Sequence, residues 1–397
     1  MDYIFSDKIS SLQPSAIREI LKASSVPGMI ALAAGNPAPD SFPIDAIKEI
    51  SQDIFENHPI EALQYGVTEG YPALIKRVTD WLHTSKKIGK DTDSVIITSG
   101  AQQVMDLTTK VLCNEGDVVI AETPSFIGSL NCFRAYNVKL RGVSLEDDGI
   151  NIEELEKALK EEPKAKFIYV IPNFQNPSGI TMSVEKRKAV YDLACKYNKI
   201  ILEDNPYGDT RVAGEDLPSI KSFDEDGRVI YAGTFSKVMA PGIRVGYVLG
   251  PAPIVGKMTV GKQTSDVHTP MFNQMLVERW MANYDIDEHI AKIKDCYRER
   301  LNFLCKRIDE ELGGIVKYVR PEGGLFVWCD LPENIDMIEF CNNAIKKNVA
   351  VVPGTAFVVN DDDKFNAVRL NFTTPTIEAM DKGLTILGEV AAEMNKR

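Results

Sequence analysis

Short runs rich in Val and Ile recur along this chain: SVIIT (94–98), DVVIAE (117–122), KLRGVSL (139–145), AKFIYVIP (165–172), KIILE (199–203), RVIYAGT (228–234) and RVGYVLG (244–250). Most show little polar alternation, the texture of strands covered on both faces. Between them lie helical segments such as AQQVMDLTTKVLCNE (101–115) and SVEKRKAVYDLACKYN (183–198). Alternating strands and helices specify an α/β fold, a mostly parallel seven-stranded sheet between layers of helix. Few other architectures can bury so many two-sided strands.

The texture changes beyond about residue 290. The helical IAKIKDCYRERLNFLCKRIDEEL precedes strand-like pieces around VKYVRPEGGLFVWCDL, then VAVVPG, AVRLNF and a closing helix. This predicts a smaller α+β domain over 291–397, beside a large domain over 51–290. Residues 1–50 are expected to form an arm that joins the small domain. Within it SAIREILKAS (15–24) reads as a short helix, and AAGNPAPDSFP (33–43) as a turn-rich loop.

The formal net charge of −12 argues against a nucleic-acid partner, since a phosphate backbone demands a basic face. The seven cysteines, odd in number and without a CxxC pair, read as reduced thiols of a cytoplasmic protein. The four histidines form no ligand-spaced cluster, so no metal is expected. The N-terminus lacks a signal-peptide pattern, and no apolar run approaches the ~20 residues that span a bilayer.

In an open α/β sheet, ligands bind beyond the carboxyl ends of the strands. The residues there are Ser99-Gly100-Ala101-Gln102 after SVIIT, NFQNPSG (173–179) after AKFIYVIP, DNPYG (204–208) after KIILE, and Ser236-Lys237 after RVIYAGT. Lys237 sits among small and apolar neighbours. A lysine that forms a Schiff base must be a neutral amine, and partial burial lowers its pKa from about 10.4. A helix opening at Gly100-Ala101 offers unpaired N–H groups to an anion. Arg244 can add a bidentate fork and Ser236 a hydroxyl. An anion beside an imine-forming lysine suggests a phosphorylated aldehyde, and pyridoxal phosphate needs both, with a carboxylate at its ring nitrogen.

TFSK followed by PGIRVGY, with NPSG and EDNPYG, resembles the pyridoxal-phosphate-dependent aminotransferases of fold type I, classes I and II. IREILK, FQNPSG and VRLNF are most similar to the 2-aminoadipate and aromatic subgroup. The resemblance runs over essentially the whole chain, and four motifs in order are far more specific than one.

It implies that Lys237 bonds the cofactor and shuttles a proton, and that Asp204 pairs with the ring nitrogen. Asn176 and Tyr207 would bond the ring hydroxyl. Ser99, Gly100, Ala101, Gln102, Ser236 and Arg244 would hold the phosphate. Phe126 would stack on the ring, where many relatives carry Tyr. Tyr65 would reach the phosphate of a partner subunit, which implies a homodimer. Arg369 would clamp the substrate α-carboxylate, and Gly35 and Asn36, with the N-terminal helix, would line the side-chain pocket. The implied reaction moves an amino group from an aminoadipate, aromatic or branched-chain amino acid to a 2-oxo acid such as 2-oxoglutarate, in two half-reactions.

Singly, each residue has a plainer reading. Lys237 would be a surface lysine, NPSG a turn, Asp204 a turn cap, Arg369 an edge charge, and Tyr65 or Phe126 packing aromatics. Their coincidence at strand ends separates them from those readings. Two functional alternatives share the motifs: a lyase or decarboxylase using the same cofactor, and a non-catalytic sensor of the kind fused to a DNA-binding module. The acidic charge and the early start of the arm weigh against the sensor.

Overall fold

In a computed structural model the described residues are 3–10, 28–360 and 362–396. The predicted helix at 15–24 and its IREILK motif lie outside them. The central sheet runs in the order 93–98, 246–251, 229–234, 200–204, 165–170, 118–123, 139–146, 149–150. Neighbours from 229–234 through 139–146 pair in parallel. The 246–251 strand runs against both its neighbours. The seven expected strands are all present, and a two-residue strand, Gly149–Ile150, adds an antiparallel eighth at the edge.

The strand pattern follows from burial. Val118–Thr123 is buried at every position, because helices cover both faces. One layer packs Val104, Leu107 and Leu130 against Val119, Phe167 and Leu202. The other packs Leu155, Ala158 and Val190 against Ile120, Ile168 and Ile201. Burying each such aliphatic side chain stabilises the fold by roughly 1.5–3 kcal/mol.

The Ala367–Asn371 strand lies between Phe326–Asp330 and Val352–Pro353, antiparallel to both. Ile30–Ala31 pairs in parallel with Val349–Ala350, tying the early chain to this late region. The expected boundary at residue 50 falls inside a continuous helix, Ile44–Asn57. Its Ala46, Ile50 and Ile54 pack in one cluster with Leu74, Val78 and Trp280, so the whole helix sides with the large sheet. The boundary at 290 likewise falls inside a helix, Ile286–Glu311. Its Ile290 joins that same cluster, while Leu301 and Leu304 join Phe340 and Leu384.

Candidate active site

Lys237 lies on the connection between the antiparallel strands Val229–Thr234 and Gly246–Pro251. This connection lifts its side chain over the carboxyl ends of the parallel strands. Its Nζ donates to the Gly35 carbonyl at 3.2 Å and stands 5.8 Å from the centre of the Tyr207 ring. Burial, then the cations of Arg369 and Arg244, bring its pKa down to about 8. About a tenth of the amine is therefore neutral and nucleophilic near pH 7, against well under one part in a thousand for a solvated lysine.

Asp204 ends the Ile200–Asp204 strand and is 4% exposed. Its Oδ2 accepts the Tyr169 hydroxyl at 2.8 Å, while Oδ1 is buried without a partner. Burial pushes the carboxyl up to about 7, and the Tyr169 hydrogen bond pulls against it. Tyr207 is buried, with its hydroxyl 3.5 Å from Asn176 Nδ2. Asn176 Oδ1 accepts from Arg369 Nη1 at 2.9 Å. Arg369, 2% exposed, also donates from Nη2 to the Ala33 carbonyl at 3.0 Å. Its guanidinium lies 4.0 Å from the Phe326 ring centre, and its Nε is buried and unpartnered.

The anion end is built from two connections, the one after the 93–98 strand and the one between 229–234 and 246–251. The Ala101–Leu112 helix begins at Gly100 with no side-chain cap, so its first N–H groups are free. Gly100 has φ +78°, and a Cβ there would stand 2.2 Å from Arg244 Nη2. Gly246 is needed for the same close approach, since a Cβ on it would meet Gly100 C at 2.7 Å. Arg244 itself adopts φ +56°, which turns its guanidinium back over the helix start. It donates to the Ser99 carbonyl at 3.1 Å and approaches the Ser236 hydroxyl at 3.4 Å.

These groups share one cavity of about 320 Å³. Lys237, Asp204, Tyr207, Asn176 and Arg369 line it, as do Ala101, Gln102, Ser236 and Arg244 at its anion end. Phe126, Gly35 and Asn36 complete the wall. Three expected residues do not. The Ser99 hydroxyl turns away and donates to Asp266 Oδ2 at 2.8 Å, because the buried Lys262 and the half-buried Asp266 form a polar cluster behind the loop. Ser99 therefore offers Arg244 its carbonyl, not an anion its hydroxyl. Gly100 stands behind Arg244. Tyr65 is 81% exposed and packs edge-on to His268 at 5.8 Å, away from this chain's cavity.

Ser129, Thr234, Ile171 and Phe326 line the cavity without having been singled out. Thr234 belongs to the TFSK stretch and was legible there. Tyr169, a phenol in the mostly apolar strand AKFIYV, was the signal for the partner of Asp204. Among the described residues, no group of three or more His, Cys, Asp or Glu is placed to hold a metal ion.

The orphaned Asp204 Oδ1, the open helix start facing Arg244 and the part-neutral Lys237 fit pyridoxal phosphate at its nitrogen, phosphate and aldehyde in turn.

A family model described as aminotransferase class I and II matches residues 27–387. Aromatic-amino-acid aminotransferase 1 of Thermococcus litoralis is 40% identical, covering 100% of this chain and 96% of its own length. The structure of a kynurenine aminotransferase from Pyrococcus horikoshii in complex with PMP superposes with a TM-score of 0.94 at 38% identity, over 98% of this chain and 97% of its own. An alpha-aminoadipate aminotransferase from Thermus thermophilus, complexed with N-(5'-phosphopyridoxyl)-L-leucine, gives 0.90 at 33% identity, over 99% and 98%.

Proposed function

This chain belongs to the class I and II aminotransferases, and we propose how its own residues share the reaction. It is a pyridoxal-phosphate-dependent transaminase, moving amino groups between amino acids and 2-oxo acids. When bound, the cofactor supplies an aldehyde that exchanges nitrogen and a ring that draws electrons from the substrate.

Lys237 would hold the cofactor through its amine, and the same amine would take up the proton released at the substrate α-carbon. Its depressed pKa supports both tasks, since only the neutral amine attacks or accepts a proton. Asp204, through its unpartnered Oδ1, would hold the ring nitrogen, Tyr207 and Asn176 would hold the ring hydroxyl, and Phe126 would cover the ring. The free N–H groups at Ala101, with Gln102, Ser236 and Arg244, neutralise the phosphate. Arg369 grips the substrate carboxylate, its buried Nε standing free for it. The single observation that carries this reading is one cavity walled by Lys237, Asp204, Arg244 and Arg369 together.

The reaction runs in two half-reactions through that cavity, with 2-oxoglutarate as acceptor. Gly35, Asn36 and Phe326 line the region near Arg369, and the relatives' names point to aromatic and aminoadipate side chains, with the leucine adduct of the Thermus structure adding a branched-chain one. The protein works as a homodimer. The exposed Ile60, Leu63 and Tyr65 form an apolar patch suited to a second copy, with Tyr65 completing the partner's phosphate site. The seven free thiols fit a reducing cytoplasm. Among the described residues no helix is long and apolar enough to cross a membrane.

The test is to load the protein with pyridoxal phosphate, reduce it with borohydride and map the labelled peptide. The label should sit on Lys237; a label elsewhere rejects the assignment. A panel of amino acids then reads the half-reaction by loss of the imine absorbance. Release of free ammonia with pyruvate from a cysteine-type substrate, in place of the 2-oxo acid that keeps the substrate's own side chain, would favour a lyase.

A further inference from the structure

Asp204 could face its ligand with either oxygen, yet only Oδ1 is left without a partner. Oδ2 is held by the Tyr169 hydroxyl at 2.8 Å, and that hydroxyl also lies 2.9 Å from Ser129 Oγ. Tyr169 is fully buried and wedged by Phe133, whose ring centre is 5.2 Å away. One phenolic proton cannot serve two acceptors. The carboxylate is the stronger one, so Tyr169 donates to Asp204 and Ser129 donates to Tyr169.

We propose that Tyr169 is a positioning residue that turns Asp204 Oδ1 toward the cavity and stabilises its charged form, with Ser129 as the donor that polarises the phenol. The proposal rests on Asp204 pairing with the ring nitrogen. Burial alone would leave this carboxyl protonated near neutral pH, and a protonated acid cannot hold a cationic ring. Tyr169 counters that. Burial and the nearby Asp204 keep its own phenol well above the usual range, so it stays a donor throughout the working pH. Ser129 reaches the cavity itself, which makes the relay sensitive to what is bound there.

The experiment uses pyridoxamine 5'-phosphate, which carries no aldehyde and cannot bond Lys237. Its dissociation constant is measured by equilibrium dialysis from pH 5.5 to 9 with the full chain, Tyr169→Phe, Ser129→Ala and Asp204→Asn. Losing a charge-assisted hydrogen bond should move the pH at which binding tightens upward by about one to two pH units in Tyr169→Phe. Affinity should return toward the parent value at high pH, which a packing defect would not allow. Ser129→Ala should shift the midpoint in the same direction by less. A Tyr169→Phe curve that is uniformly weaker with an unmoved midpoint overturns the proposal. If Asp204→Asn binds with the parent's pH profile, the Asp204 reading has failed first and takes this one with it. Circular dichroism confirms that each variant is folded.

Discussion

Arg369 and Asn176 meet at 2.9 Å across 193 positions of sequence, joining a strand of the C-terminal region to the loop that follows the 165–170 strand. Both side chains are buried, and both line the cavity.

Arg369→Gln should therefore separate substrate binding from cofactor binding. Removing a charged, hydrogen-bonded contact to a carboxylate costs about 1.5–3 kcal/mol, or roughly 10- to 150-fold in kcat/KM. Cofactor absorbance should be retained. Steady-state kinetics beside an absorbance spectrum would check this, and an unchanged kcat/KM for every amino acid would reject the carboxylate role.

The amine of Lys237 titrates near pH 8. Its folded pKa is depressed, so the charged form gains below that value and the nucleophile is lost as pH falls. The second-order rate of pyridoxal phosphate capture by the cofactor-free protein should rise about tenfold per pH unit up to pH ~7.5, then level above about 8.5. Stopped-flow absorbance at several pH values measures it. A plateau reached only above about pH 10 would mean an ordinary solvated lysine.

Gly100→Ala should weaken cofactor binding more than it weakens the fold. Its φ of +78° with ψ of 173° lies in a region essentially confined to glycine and costs about 1–3 kcal/mol for a residue with a Cβ. The new methyl would also push Arg244 off the helix start. Dialysis against pyridoxal phosphate, compared with the thermal midpoint of the cofactor-free protein, separates the two effects. Equal affinity in both proteins would clear Gly100 of any part in the cradle.

Tyr65→Ala should leave the cofactor-free subunit's stability nearly unchanged, because an 81% exposed ring contributes little to its own chain. In a dimer it should weaken phosphate binding in the partner. Mixing the weakened Tyr65→Ala and the inactive Lys237→Ala proteins under exchanging conditions should then raise activity above the average of the two, since each hybrid rebuilds one whole site. No recovery after proven subunit exchange would refute the shared site.

The strand order, the reversed 246–251 strand and the short edge strand show where local reading stops. Val and Ile content marked each strand, because burial on both faces leaves no choice of residue type. Direction and neighbour depend on which connections cross the sheet, and these are set by packing between distant helices. The helix at 44–57 is a further case. Its apolar face at Ala46, Ile50 and Ile54 was present in the chain, but only the cluster around Trp280 decided which domain it joins.

The chain by itself determined the α/β class and the positions of Lys237, Asp204, Asn176 and Arg244, because strand ends and turn residues are local events; Arg369, in the middle of the Ala367–Asn371 strand, was named only through the resemblance. Tertiary structure decided where polar side chains point. Ser99 bonds Asp266, 167 residues away, and Asp204 bonds Tyr169 on a neighbouring strand. Hydrogen bonds form with whatever donors and acceptors folding brings within about 3 Å, and sequence spacing does not encode that proximity.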